Sequence, residues 1–164
     1  MIGGILARMA LITSPSAPST LDVINRQLLD ELQADARLSN AELGRRIGLS
    51  SPAVAERIRR LEQDGVIRGY RAEIDPRAVG LGLSVLLRVR PAPRQLAVVA
   101  ELARQSEEVV ECHRVTGDDC FVMTAHVRDV GHMEELIDRF AASGQTTTSV
   151  MQSAPVPRRG IQLT

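Results

Sequence analysis

Between positions 50 and 60 the chain carries Ser50, Ser51, Pro52, Ala53, Glu56, Arg57 and Arg60, residue types suited to gripping a nucleic acid. Guanidinium forks such as those of Arg57 and Arg60 match guanine O6/N7 or phosphate oxygens. Serine hydroxyls and free N–H groups at a helix start, here at Ser50 and Ser51, suit a phosphate. The small Ala53 lets that helix end approach base edges closely. To act together these groups must share one exposed helical surface. Val54, Ile58 and Leu61 fall at i, i+4 and i+7 and form an apolar stripe for a core, so Ala53, Glu56, Arg57 and Arg60 are expected to project from the other side.

The element that must position this surface precedes it. Ser39 and Glu42 have the spacing of a capping box, in which the serine hydroxyl accepts from the Glu42 N–H and the carboxylate reaches back. Gly48 suits a left-handed helix end, and Ser51-Pro52 predicts a serine cap with proline at the first helical position. A helix from Thr20 to about Ala34, apolar at Leu21, Ile24, Leu28, Leu29 and Leu32, completes a three-helix unit. This is the layout of a helix-turn-helix, whose second helix lies in the major groove of double-stranded DNA. Charge agrees in distribution though not in sum. The whole chain has 20 basic and 20 acidic residues, but positions 45 to 71 hold seven arginines against Glu56, Glu62 and Asp64, a local net charge of +4.

A length of 164 residues allows one medium or two small domains. With two Phe, one Tyr and no Trp, packing must be aliphatic, and stacking of single-stranded bases is disfavoured. No apolar run approaches the ~20 residues that span a bilayer, so no membrane partner is expected and the location reads as cytoplasmic. Residues 1–19, apolar and then Ser/Pro-rich, read as a disordered extension within which Met9 offers a second start. Cys112 and His113 alternate across a strand, and no C-x-x-C or H-x-x-x-H spacing exists, so no metal site and no other cofactor is expected. A hairpin centred on Gly117-Asp118 does not place Cys112 opposite Cys120, which argues against a disulfide. Nucleophile-elbow, P-loop and dinucleotide patterns are absent.

Beyond Asp75-Pro76 and Gly80 the periodicity changes. Strands are predicted at Leu83 to Val89, Val109 to Val115, Cys120 to Val127 and Thr146 to Gln152, with helices from Gln95 to Gln105 and Val130 to Ala142. Thr116-Gly117-Asp118-Asp119 reads as a hairpin turn. The order β-α-β-β-α-β predicts an α+β chain: a (winged) helix-turn-helix domain over 20–70, a linker over 71–81, a ferredoxin-like domain over 82–155 and a tail over 156–164. The open face of such a sheet needs a cover, and a second subunit is the simplest one.

The chain resembles the Lrp/AsnC, or feast/famine, regulators. The resemblance rests on Leu21-Asp22, Leu28-Leu29, Asp35 to Ser39, Glu42-Leu43, Gly48-Leu49-Ser50, Arg57-Ile58, Arg60-Leu61-Glu62, Gly65-Val66-Ile67 and Gly69-Tyr70. Asp75-Pro76, Gly80, Thr116-Gly117-Asp118 and Thr146-Thr147-Thr148 extend it into the second half. It implies an N-terminal DNA-binding domain, a β linker and a C-terminal domain that senses an amino acid and dimerises through its sheet. It further implies homodimers that assemble into tetramers or octamers. The implied effector site comprises Gly117, Asp118, Asp119, Cys120 and Phe121, with Thr146 and Thr148; the DNA-binding set is that named above together with Ser39. Asp119-Cys120 departs from the usual aromatic-aspartate pair, and Asn25 replaces a second aspartate common in the first helix. The expected function is a sequence-specific transcriptional regulator tuned by a small amino-acid-like effector, not an enzyme. The alternatives are an effector-independent architectural DNA-binding protein, an enzyme built on the same two-domain scaffold, and a protein-interaction role for the helix-turn-helix, which leaves the arginine clustering unexplained.

Overall fold

The structure is a computed structural model that describes residues 21–163; the expected N-terminal extension lies outside them. The described residues divide into two compact units, one comprising 21–71 together with 158–163, the other Ala72–Pro157.

In the first unit, α1 spans Val23–Ala34 and starts at Asp22, whose carboxylate accepts the Asn25 N–H at 2.6 Å. α2 spans Asn40–Ile47 and is capped by the Ser39 hydroxyl, which accepts from the Glu42 N–H at 3.1 Å. The capping box does not close. The Glu42 carboxylate goes instead to Arg45 and to Arg46 Nε (3.1 Å), because guanidinium groups one turn along the same face offer charge-assisted hydrogen bonds. Gly48 ends α2 at φ 74°, and the Leu49 N–H returns to the Gly44 carbonyl at 2.9 Å. α3 spans Ser51–Gln63. Its cap is Ser50 rather than the expected Ser51. The Ser50 hydroxyl accepts from the Ala53 N–H at 3.4 Å, and Pro52 therefore takes the second helical position.

Leu28, Leu29, Leu43, Val54 and Leu61 are buried together, with Leu32, Ile47, Ile58, Val66 and Ile67 packed around them. Among the described residues the segment between α3 and the turn at Pro76 carries no strand. The Tyr70 hydroxyl donates to Glu62 at 3.0 Å. The segment from Arg158 lies along α1. The Gln33 side-chain amide donates to the Ile161 carbonyl (3.0 Å) and accepts from the Ile161 N–H (2.6 Å), Arg26 donates to the Leu163 carbonyl, and Leu163 packs against the apolar cluster.

The second unit opens with a 3-10 turn at Pro76–Val79. It then runs β1 (Leu83–Pro91), α4 (Leu96–Gln105), β2 (Val109–Arg114), β3 (Phe121–Val127), α5 (Val130–Ala141) and β4 (Gly144–Val150). The sheet order β2-β3-β1-β4, antiparallel throughout, is the ferredoxin-like arrangement. Val85, Leu87 and Val89 of β1 and Phe121, Met123, Ala125 and Val127 of β3 face Val99, Ala103, Leu136 and Phe140 of the two helices. Period-two alternation sends Leu86, Arg88, Val122, Thr124 and Thr147 to the opposite face. Cys112 pairs with Met123, not with Cys120, and both cysteines are free thiols.

The entry to β2 is fastened to α5 by Glu108, whose Oε1 accepts from His132 Nε2 (2.8 Å) and from Arg139 Nη2 (2.5 Å). Burial pushes this carboxyl up, but the hydrogen bond from Arg139 and that from His132 outweigh it and hold the group at about 2. A carboxyl depressed in the folded state stabilises fully above its ordinary value of 4.5 and loses that contribution as pH falls toward about 2. Glu108→Gln is therefore expected to lower stability at neutral pH by on the order of 1–3 kcal/mol and to flatten the fall in melting temperature over that acid window, read by circular dichroism. At the first turn, Gly48→Ala forces a Cβ into the left-handed region and is expected to cost about 1–2 kcal/mol in the same assay.

Candidate nucleic-acid interface and effector loop

α3 presents its residues in three bands. Val54 and Leu61 are buried with Ile58 beside them, while Ser51, Pro52, Arg59 and Arg60 are exposed. Ser50, exposed at the helix start, spends its hydroxyl as the cap, as Ser39 does on α2. Ala53 is half-buried. Glu56 sits between two arginines: its carboxylate accepts from Arg59 Nε (2.9 Å) and Nη2 (2.7 Å), and from Arg60 Nε (2.8 Å). The hydrogen bonds from Arg59 and Arg60 hold the Glu56 carboxyl at about 2, and the same contact raises Arg59. Glu56 therefore stays ionised at physiological pH and orients both guanidinium groups on the exposed face. Arg59 was not among the expected contacts, although about 100° per residue puts it far round the helix from the Val54–Leu61 stripe.

Arg57 does not join this face. Its Nη1 donates to Asp22 Oδ2 (2.7 Å) and to Asn25 Oδ1 (2.9 Å) at the start of α1, and the side chain is 29% exposed against 54% for Arg59 and 70% for Arg60. The Arg57 hydrogen bond is also the main cause of the lowered Asp22 carboxyl. Arg45 and Arg46 add positive charge on α2, tied to Glu42 and, for Arg46, to Glu31 at 2.6 Å.

In the second unit the β2–β3 hairpin closes where the Val115 N–H meets the Cys120 carbonyl (2.8 Å), leaving residues 116–119 as the turn. Gly117 has φ 106°, which a glycine adopts readily, and Cys120 has φ 51°, unusual for a residue with a side chain. The loop is held from β1: Arg90 donates from Nε to the Asp118 carbonyl and from Nη2 to its carboxylate, both at 3.0 Å, and Arg88 Nη1 lies 4.0 Å from Asp119 Oδ2. Asp118 is 87% exposed. Phe121 pairs with Val89, and Thr146 falls between the pairs Arg88–Thr147 and Arg90–Gln145, so Phe121, Val89 and Thr146 share one sheet face near one end. Thr148 lies opposite Leu87 on that face, its hydroxyl buried without a hydrogen-bond partner among the described residues. Arg88 and Arg90 were missed in the sequence because nothing local pairs them with residues 28 to 31 positions away.

A family model for the AsnC-type helix-turn-helix domain matches residues 21–62, and one for the Lrp/AsnC ligand binding domain matches residues 84–161. The leucine-responsive regulatory proteins of Klebsiella pneumoniae and Escherichia coli are each 38% identical to this chain over 120 residues, which is 71% of this chain and 73% of those proteins. Among solved structures, LrpC of Bacillus subtilis is 32% identical with a TM-score of 0.78, covering 81% of this chain and 95% of LrpC. The feast or famine regulatory protein of Mycobacterium tuberculosis, complexed with L-methionine, is 35% identical with a TM-score of 0.77, covering 86% of this chain and 98% of that one. With both halves matched in order and the α+β architecture in place, the chain belongs to the Lrp/AsnC family of transcriptional regulators.

Proposed function

We propose that this regulator reads duplex DNA with the exposed face of α3, and that an amino acid seated at the 117–121 loop modulates its assembly or its binding. The carrying observation is the serine-capped α3 whose Arg59 and Arg60 are exposed and aligned by one ionised carboxylate. Ser50, Ser51, Pro52 and Ala53 bring the helix start to phosphates and base edges, Arg59 and Arg60 supply the forks, and Ser39 lies at the start of the preceding helix. Glu56 tempers the arginines, so that unselective attraction to phosphate is reduced. The sheet face bearing Leu86, Arg88, Val122, Thr124 and Thr147 is covered by a second copy, giving a homodimer with two reading heads, and dimers associate further into tetramers or octamers. The described residues include no helix long and apolar enough to cross a membrane, and the regulator works in the cytoplasm.

The L-methionine complex of the M. tuberculosis relative supports an amino-acid effector. Here the N–H groups around Gly117 would take its carboxylate and Asp118 its ammonium, with Asp119, Cys120, Phe121, Thr146 and Thr148 shaping the surroundings. A second reading, effector-independent DNA binding, is favoured by one observation: Asp118 is already engaged by Arg90. The curated relatives are regulators, and catalysis forms no part of either reading.

Fluorescence anisotropy on a duplex from the chain's own upstream region, beside a random duplex across a salt series, tests the DNA reading. Preference for the upstream duplex with a steep salt slope is expected. Arg60→Ala should weaken binding to both duplexes and reduce the salt slope by about one, whereas Glu56→Gln should tighten binding to the random duplex. Equal, salt-insensitive binding by all three proteins would sink the docking of α3. Calorimetry with L-methionine and L-leucine tests the effector: heat that disappears in Asp118→Ala is expected, and no heat with either ligand would select the effector-independent reading.

A further inference from the structure

We infer that Arg57 is a positioning residue: it fastens α3 to the start of α1 and sets the rotation at which α3 presents Arg59 and Arg60, without itself contacting DNA. The inference rests on the DNA reading above and refines it. Arg57 lies three residues after Val54 and one before Ile58, so it borders the apolar stripe instead of opposing it. One nitrogen, Nη1, serves both Asp22 Oδ2 and Asn25 Oδ1. The two oxygens of Asp22 divide their work. Oδ1 caps α1 by accepting the Asn25 N–H, and Oδ2 holds Arg57. The start of one helix and the flank of another thus hang on a single carboxylate.

Release of Arg57 to a phosphate would be self-defeating. It would leave the Asp22 carboxylate, 49% exposed, facing the same polyanion without its counter-charge. Arg59 and Arg60 carry no such liability, because Glu56 can keep one of them while the other swings out. Held in place, Arg57 spans the groove between α1 and α3, beside Ala53 and Arg60, and stops α3 from rolling about its axis. A roll of the helix would move every exposed side chain together, so the pair governs discrimination between sequences more than attraction to DNA in general.

The test uses the full chain as wild type, Asp22→Asn, Arg57→Ala and the double variant. Asparagine keeps the Oδ1 acceptor that caps α1 and replaces the Oδ2 that holds Arg57 by an amide NH2, which can only donate, so Asp22→Asn is expected to fold while releasing Arg57. Each protein is titrated by anisotropy on a duplex enriched from a random pool by the wild type, beside a random duplex, over a salt series and at a temperature where every variant is folded by circular dichroism. Each single variant should lose roughly three- to tenfold of its preference for the enriched duplex, and the double variant should be no worse than either single, as expected of two coupled residues. The salt slope should stay that of wild type. A slope lowered by about one in Arg57→Ala, with preference intact in Asp22→Asn, would overturn the inference and return Arg57 to the phosphates. Additive losses in the double variant would overturn it too. Failure of the wild type to enrich any duplex would instead overturn the DNA reading and this refinement with it.

Discussion

The reading head depends on the left-handed backbone at Gly48. At φ 74° this residue ends α2, and the next N–H, that of Leu49, returns to the Gly44 carbonyl, so the chain reverses within a few residues and delivers Ser50 to its capping position. From that point the geometry is determined in sequence. Ser50 fixes where α3 begins, the beginning fixes which residues form the Val54–Leu61 stripe, and burial of that stripe leaves Arg59 and Arg60 outside. A rotation of the helix by about 100° would carry one of the two arginines, Arg59 or Arg60 according to its sense, toward the leucine side. Few local features control so much of a surface.

β1 plays the corresponding part in the sheet domain. It is one of the two inner strands, paired with β3 on one side and β4 on the other, and its alternation separates two kinds of work. Val85, Leu87 and Val89 enter the core under α4 and α5, whereas Arg88 and Arg90 reach the hairpin that carries Asp118 and Asp119. The same strand therefore builds the domain and holds the loop where an amino acid is proposed to sit. A signal altering the loop has a short route into the central strand, since Phe121 follows the loop directly and pairs with Val89.

What was legible in the sequence was local. Serine caps, the glycine helix end, the period of 3.6 in α3 and the period of 2 in β1 and β3 all depend on residues within a few positions of one another, and they sufficed for both halves of the fold. Even so, Ser50 and Ser51 are equally good caps in composition, and it is Ser50 that the reversal after Gly48 brings to the cap position. The Glu42 carboxylate had two sets of partners within a turn, and the charged set won. Partnerships over longer distances left no trace: Arg57 with Asp22, Arg90 with Asp118, Glu108 with Arg139. Each joins residues 28 to 35 positions apart whose spacing alone carries no periodic signal. Arg57 reads as exposed from the sequence, because charge on an amphipathic helix does so until a carboxylate elsewhere claims it, as Asp22 does here.

The contact between Gln33 and Ile161 spans 128 positions and gives the reading head an unusual order of assembly. A chain emerging from the ribosome can fold its three helices early, but the strip that covers α1 is made only after the whole sheet domain. Closing so long a loop carries an entropic penalty that grows only slowly with length, so the strip docks readily once the sheet domain has drawn the intervening chain together. Completion of the head is thereby deferred until the sensing half of the molecule exists.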